Sequence, residues 1–123
     1  MVKKLSQKKK VVLVAFQGEI MCFAHVLLNG LDMYEKGYDV KIVIEGSSTK
    51  LIKNFYNDPN FPFRQQYLKI KEKKLIDAVC KACSTKMESI EEVELEGLPI
   101  KGEMSGHPSL ASYIDDGYLI ITF

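Results

Sequence analysis

The sequence predicts a three-layer α/β/α domain built on a mainly parallel sheet of five strands. Short apolar runs, among them Val11–Phe16 and Leu75–Cys80, alternate with longer segments of helical periodicity. A helix between two strands implies a crossover connection, which makes the strands parallel and places helices on both faces of the sheet. The length of 123 residues is that of a single domain.

The first strand and the first helix are the clearest elements. Val11–Phe16 is a continuous apolar run, typical of a strand buried on both faces. Ile20–Lys36 predicts a long helix that ends at Gly37, because glycine is favoured just after the last helical turn. Apolar side chains occupy more of this helix than one sheet face can cover, so we expect it to contact a second copy of the chain in a homo-oligomer.

The middle of the chain continues the alternation of strands and helices. Residues 39–45 predict the second strand, and the Gly-Ser-Ser-Thr segment at 46–49 caps a helix that begins near Lys50. Asn57–Asn60 is a strong turn signal because it combines Asn, Asp and Pro. A third helix is predicted over residues 63–73.

The second half of the chain supplies the remaining elements. Leu75–Cys80 predicts the third strand, and Ser84–Glu96 a helix that Gly97 ends. Residues 98–101 predict a short fourth strand, Pro108 the first position of a further helix, and Tyr118–Phe123 the last strand. Residues 1–10 are predicted to be a flexible basic tail, and residues 11–123 one domain.

Composition excludes several classes of partner. The net charge of +1 gives no reason to expect nucleic-acid binding. No apolar run approaches the ~20 residues that a membrane span needs, and Val11–Phe16 is too short for the core of a signal peptide. Three cysteines, an odd number, in a chain without a secretion signal predict reduced thiols in the cytoplasm.

A Cys-Lys-Ala-Cys segment is the main candidate for chemistry. Cys80 ends the third predicted strand and Cys83 stands at the start of the next helix, where free amides and the helix dipole stabilise a thiolate. Lys86 adds positive charge nearby. We therefore expect a lowered pKa for Cys83, or for Cys80 if its side chain turns towards the same amides.

Other polar side chains lie on the loops that follow the strands. His107, in a glycine-rich loop, is predicted either as a helix cap or as a functional group. Glu45 and Glu19 would meet across the crevice, and Ser84 would begin the helix beside the cysteines. No phosphate-binding motif is present, so no cofactor is expected. No metal is expected either, because a structural zinc site usually has two closely spaced ligand pairs and the sequence has one.

The chain resembles the DsrE-like family over residues 11–123. The resemblance rests on the first strand and helix, on Ala78-Val79-Cys80-Lys81-Ala82-Cys83-Ser84, and on the segment Gly102–Pro108. It implies a small cytoplasmic α/β domain that forms oligomers and carries sulfur as a cysteine persulfide between donor and acceptor proteins. Carried over to this chain, the persulfide would be on Cys80 or Cys83, with His107 or Lys86 holding the anion.

Three classes of function remain open at the level of sequence. The first is a sulfur carrier or sulfurtransferase that uses Cys80 and Cys83. The second is a non-catalytic oligomeric interaction subunit with structural cysteines, and the third is a module that binds a metal or another ligand. Sulfur loading distinguishes the first class from the second, and metal content distinguishes the third.

Overall fold

A computed structural model describes residues 8–123 of the chain. Its single sheet has five strands in the order β4-β3-β2-β1-β5, and every neighbouring pair is parallel. In chain order the elements are β1 (Lys10–Ala15), α1 (Ile20–Glu35), β2 (Asp39–Ile44), a 3₁₀ turn (Gly46–Thr49), α2 (Lys50–Asn57), α3 (Arg64–Glu72), β3 (Ile76–Cys80), α4 (Lys81–Lys86), α5 (Ile90–Leu95), β4 (Ile100–Lys101), α6 (Leu110–Asp115) and β5 (Leu119–Thr122). The predicted three-layer α/β/α fold is confirmed. Within residues 8–123, no helix is both long and apolar enough to cross a membrane.

The larger core lies between one face of the sheet and most of the helices. Leu13, Ile42 and Val79 supply this face, and each is fully buried. An aromatic cluster fills the space beneath α1, with the Phe55 ring stacked on Tyr67 at 4.2 Å between ring centroids. Burial on this scale, about 25 cal/mol for each Å² of apolar surface removed from water, is the main source of stability for the fold.

The opposite face of the sheet is covered by α6. Val12, Val14 and Val43 point towards this face and pack against Tyr113 and Tyr118. The alternation of buried side chains along β1 therefore supplies both cores at once, as the continuous apolar run predicted.

The structure corrects the prediction of one long helix over Ser84–Glu96. Two short helices, α4 and α5, occupy this region, and Glu88 between them has a left-handed backbone with φ of 57°. The amide of Ser89 donates to the carbonyl of Ser84 and closes the first helix. Helix α4 begins at Lys81, so Cys80 rather than Cys83 occupies the capping position. Apolar residues recur at helical spacing through both helices, so the sequence pattern does not indicate where the first helix ends.

Smaller corrections concern the ends of elements. The predicted basic tail at residues 1–10 overlaps the sheet, since Lys10 is the first residue of β1, and residues 1–7 lie outside the described part of the chain. Pro108 precedes α6 instead of occupying its first position, because the helix begins at Leu110. The fourth strand is shorter than predicted and contains only two residues.

A shift of register in β3 turns Asp77 towards the face that α6 covers. Ile42 pairs with Ile76 but the next residue of β2, Val43, pairs with Ala78, so Asp77 is the extra residue. The Asp77 carboxylate accepts hydrogen bonds from the Tyr113 hydroxyl at 2.6 Å and from Lys101 at 3.2 Å. Burial opposes ionisation of this carboxyl group, but the hydrogen bonds and the neighbouring lysine charges outweigh it, so its pKa is lowered.

Replacing Asp77 with Asn is expected to lower the free energy of unfolding at pH 7 by about 1–2 kcal/mol, because hydrogen bonds to a charged, partly solvated group are lost. The lowered pKa means that the carboxylate stabilises the fold above its unfolded-state pKa of ~3.9, and that this stability is lost as the pH falls through the folded-state value. Urea denaturation from pH 7 down to pH 3 measures the difference in free energy of unfolding between the wild type and the variant. This difference should shrink at low pH. The exposed Asp115 replaced by Asn is the control, and an equal loss in both variants would contradict the prediction.

Candidate functional site

Two parallel strands bring the first members of the site together. Glu45 directly follows β2, and Cys80 is the last residue of β3, which is the neighbour of β2 in the sheet. Both residues are buried, with Glu45 8% exposed and Cys80 0% exposed. The carboxyl edge of the sheet is therefore the location of the site, as parallel α/β folds predict.

The two cysteines of the Cys-Lys-Ala-Cys segment have different environments. The Sγ atom of Cys80 accepts a hydrogen bond from the amide of Cys83 at 3.3 Å and so caps α4. Cys83 lies in the first turn of that helix and is half-buried, whereas Cys80 is fully buried. Both are free thiols. An external reagent therefore reaches Cys83 more readily than Cys80.

A tight loop between β4 and α6 positions His107. The amide of Met104 donates to the carbonyl of His107, and the amide of His107 donates back to Met104. The amide of Ala82 donates to the carbonyl of Gly106 at 2.8 Å, which fixes the loop against α4. Gly106 has a φ of 94°, and a Cβ atom at this position would lie 3.1 Å from the Cβ of Ala82. Glycine is therefore needed for the close approach.

The imidazole of His107 contacts both sulfur atoms. Its Nδ1 atom lies 3.0 Å from Sγ of Cys80 and 3.7 Å from Sγ of Cys83. One ligand-type atom from each of Glu45, Cys80, Cys83 and His107 lies within 4.8 Å of the others. The four residues are called the Cys-His-Glu cluster below. The arrangement provides two thiols, a base between them and a carboxyl group.

Burial dominates the electrostatics of the cluster. It raises the pKa of the Cys80 thiol to about 12, and the neighbouring Cys83 and the Glu45 charge act in the same direction against the single amide of Cys83. Burial also raises the pKa of Glu45, although His107 opposes this. The predicted lowering of the pKa is thus wrong for Cys80, because desolvation outweighs the helix start.

Three of the predicted supporting residues lie outside the cluster. Glu19 accepts hydrogen bonds from the amides of Met21 and Cys22 and caps α1, and it is not part of the cluster that contains Glu45. Lys86 is exposed in the last turn of α4. Ser84 is fully buried, and its hydroxyl has no hydrogen-bond partner among the described residues.

The four residues of the cluster come from three separate segments of the chain, and the remaining candidates lie outside it. Cys22 and His25 lie on α1 and do not join the cluster. His107 is not a helix cap, since Ser109 occupies that position of α6. Glu45 was expected to meet Glu19 across the crevice, and its carboxylate instead lies within 4.8 Å of the ligand atoms of the cysteines and His107. In the sequence, the feature that these four residues share is that each lies at or after the end of a strand.

No protein-family model matches the chain. The chain is 34% identical over 97 residues to the uncharacterized protein MJ0733 of Methanocaldococcus jannaschii, and the alignment covers 79% of this chain and 76% of the archaeal one. The chain belongs to the family of this archaeal protein. Because that relative is itself uncharacterized, the relationship brings no activity with it.

A solved structure bears on the fold alone. The chain resembles BT1422, a conserved protein of unknown function from Bacteroides thetaiotaomicron, with a TM-score of 0.72 and 16% sequence identity. The match covers 94% of this chain and 95% of that chain. The three-layer architecture is thus shared with a solved protein, and the function must be inferred from the Cys-His-Glu cluster.

The environments of the two thiols predict unequal reactivity in chelator-treated, reduced protein. A pKa of about 12 for Cys80 lowers its thiolate fraction at pH 7 on the order of 1,000-fold relative to a cysteine with the ordinary value of ~8.5. Alkylation with iodoacetamide, followed peptide by peptide, should therefore modify Cys80 much more slowly than Cys83 or Cys22. Its rate should rise steeply between pH 8 and pH 10. Equal rates for Cys80 and Cys22 at pH 7 would contradict the raised pKa.

Proposed function

We propose that the chain is a sulfur carrier in which Cys83 receives a sulfur atom as a persulfide and Cys80 assists its release. The observation that carries this proposal is the contact of one imidazole nitrogen, Nδ1 of His107, with both sulfur atoms at 3.0 Å and 3.7 Å. A base in contact with two thiols is suited to remove protons from either of them. The half-buried position of Cys83 supports its role as the cysteine that meets the donor.

The loading step transfers one sulfur atom from a donor persulfide. His107 accepts the proton of the Cys83 thiol, and the resulting thiolate attacks the outer sulfur of a donor R–S–SH. The bond between the two donor sulfurs breaks, Cys83–S–SH forms, and the donor leaves as the thiolate R–S⁻. Because the leaving thiolate takes up the proton held by His107, the step needs no external oxidant or reductant.

Two fates are available to the persulfide. An acceptor thiolate that attacks the outer sulfur takes it over and regenerates the Cys83 thiolate. Alternatively, the Cys80 sulfur attacks the inner sulfur, so that a Cys80–Cys83 disulfide forms and one hydrogen sulfide leaves. The two sulfur atoms lie within 4.8 Å of each other, which supports the second route. The raised pKa of Cys80 keeps it a thiol at neutral pH, so the second route begins when His107 takes up its proton.

The proposal agrees with the resemblance of the sequence to DsrE-like proteins. That resemblance implies persulfide relay between donor and acceptor proteins, which we take as the partners of this chain. The cytoplasm is the proposed location, because three free thiols are stable in a reducing compartment. An alternative role as an interaction subunit without chemistry gives no reason for His107 to contact both sulfurs.

A homo-oligomer is part of the proposal. On α1 the side chains of Met21 and Leu28, two turns apart on one side of the helix, are 54% and 45% exposed. Apolar side chains exposed together on a helix are typical of contacts between subunits. We therefore expect light scattering at micromolar concentration to detect a dimer or larger assembly, and the double change Met21→Glu and Leu28→Glu to reduce it to a monomer. Ile114→Glu on α6 is the control, and a monomeric wild-type protein would contradict the expectation.

Sulfur loading of metal-free protein tests the carrier. Wild-type protein treated with glutathione persulfide should gain one sulfur atom on Cys83, measured by intact mass and peptide mapping. Cys83→Ser should lose more than about 90% of this gain, since a hydroxyl is far less nucleophilic than a thiolate. Cys80→Ser should still load and should hold the sulfur longer, because the cysteine that forms the disulfide is absent.

Cys22→Ser is the matched control and should load as the wild type does. Full loading of the Cys83→Ser variant on Cys80 would transfer the carrier role to Cys80. No gain of sulfur by the wild-type protein on either cysteine would overturn the proposal.

A further inference from the structure

The four side chains of the Cys-His-Glu cluster also form a candidate set of metal ligands, which does not depend on sulfur transfer. Two thiols, an imidazole and a carboxyl group present one ligand atom each, and all four atoms lie within 4.8 Å of one another. We propose that Glu45, Cys80, Cys83 and His107 bind one zinc ion, or another divalent ion of the same class, through these four atoms.

The distances suit a tetrahedral ion. Zinc bonds of about 2.3 Å to sulfur and about 2.0 Å to nitrogen or oxygen separate tetrahedral ligand atoms by roughly 3.3–3.8 Å. Nδ1 of His107 lies 3.0 Å from Sγ of Cys80, slightly shorter than this range, and 3.7 Å from Sγ of Cys83, which is within it. Side-chain shifts of a few tenths of an ångström up to about 1 Å are enough to close the site around an ion.

The chemistry of the ligands selects the class of metal. Thiolate sulfur and imidazole nitrogen are preferred by zinc, iron(II) and cobalt(II), whereas calcium and magnesium prefer an all-oxygen shell. The fourth ligand, Glu45, completes the coordination with a charged oxygen. Four protein ligands leave no open position for water, which is the pattern of a closed zinc site.

Charge also favours a cation at this position. With both thiols and the carboxyl group ionised, three negative charges would lie within 4.8 Å of one another in a largely buried place. Within residues 8–123, no Lys or Arg side chain forms an ion pair with Glu45. A divalent cation offsets two of the three charges and replaces the protons that otherwise keep these groups neutral.

The backbone holds three of the four ligand positions in place without an ion. The carbonyl of Glu45 accepts a hydrogen bond from the Ser48 hydroxyl at 2.7 Å, and its amide donates to β1. Cys80 caps α4. The loop that carries His107 is closed by the hydrogen bond from the Gly106 amide to the carbonyl of Gly102 at 3.0 Å. Because these segments are already ordered, little conformational entropy is lost when an ion binds.

This inference is independent of the proposed function, although it uses the same thiols. Cys83 cannot hold a metal ion and an outer sulfur atom in the same geometry, so the two occupants compete. The metal site requires Glu45, whereas the sulfur steps above do not use it. Replacement of Glu45 therefore separates the two.

Cobalt(II) titration of chelator-treated, reduced protein tests the site directly. Wild-type protein should bind one equivalent, with a near-ultraviolet charge-transfer band from thiolate to cobalt and the visible bands of tetrahedral cobalt. One equivalent of zinc should abolish these bands by displacing cobalt. The same zinc should protect Cys83, but not Cys22, from alkylation by iodoacetamide. Absence of the charge-transfer band, or zinc protection of none of the cysteines, would overturn the inference.

Variants assign the four ligands. Cys83→Ser, His107→Gln and Glu45→Gln should each weaken zinc binding by more than the roughly 10–100-fold that loss of an outer-shell partner costs. Cys22→Ser should bind as the wild type does, and circular dichroism checks that each variant is folded. Cys83 and His107 are only partly buried, so these variants test the site even if Cys80→Ser fails to fold. Unchanged zinc affinity in Cys83→Ser and His107→Gln, or in Glu45→Gln, would overturn the assignment of four ligands.

Discussion

The parallel pairing of β2 with β3 is the constraint on which the site depends. Because both strands run in the same direction, the residues that follow them, Glu45 and Cys80, reach the same edge of the sheet. Strand β4 also runs parallel to β3, so the loop that carries His107 leaves the sheet at this edge as well. An antiparallel β4 would deliver that loop to the opposite edge and remove the base from the thiols.

The cluster combines groups that cannot all be ionised together in a buried place without compensation. Without a bound ion these groups avoid the cost by keeping their protons. Burial therefore raises the pKa values of both Cys80 and Glu45. Nδ1 of His107 lies 3.0 Å from Sγ of Cys80. In the proposed metal site an ion would replace these protons, whereas in the proposed loading step His107 accepts the proton of Cys83. Because a thiolate is costly in a buried place, the Cys80 thiol stays protonated at neutral pH.

Much of the fold follows from local sequence patterns. The apolar run Val11–Phe16 and the glycine after the first helix identify β1 and α1 because each signal lies within one element. The break after α4 is different, since it depends on a left-handed residue, Glu88, that has none of the usual sequence preference for that conformation. The capping position at Cys80 follows from the start of α4 at Lys81 instead of the predicted Ser84, which periodicity alone could not place.

The site was also predictable in part, because some of its residues lie in local sequence patterns. Cys80, Cys83 and His107 were identified from a strand end and a glycine-rich loop, but the consequence of burial was not, because solvent exposure depends on the packing of distant segments. Glu45 was assigned to a contact with Glu19, since both lie on loops at the same edge. Glu19 instead satisfies the free amides at the start of α1, a local interaction that forms without any tertiary contact.

Glu45 is the residue on which the two proposed uses of the cluster differ. Sulfur transfer needs a nucleophile, a base and an accessible sulfur, which Cys83 and His107 supply between them. A carboxylate close to a persulfide is even unfavourable, because both are anions in a place of low dielectric constant. A cation reverses the sign of that interaction and makes the same carboxylate a stabilising ligand. The position of a buried carboxyl group within 4.8 Å of two thiols is therefore better explained by a cation than by sulfur chemistry alone.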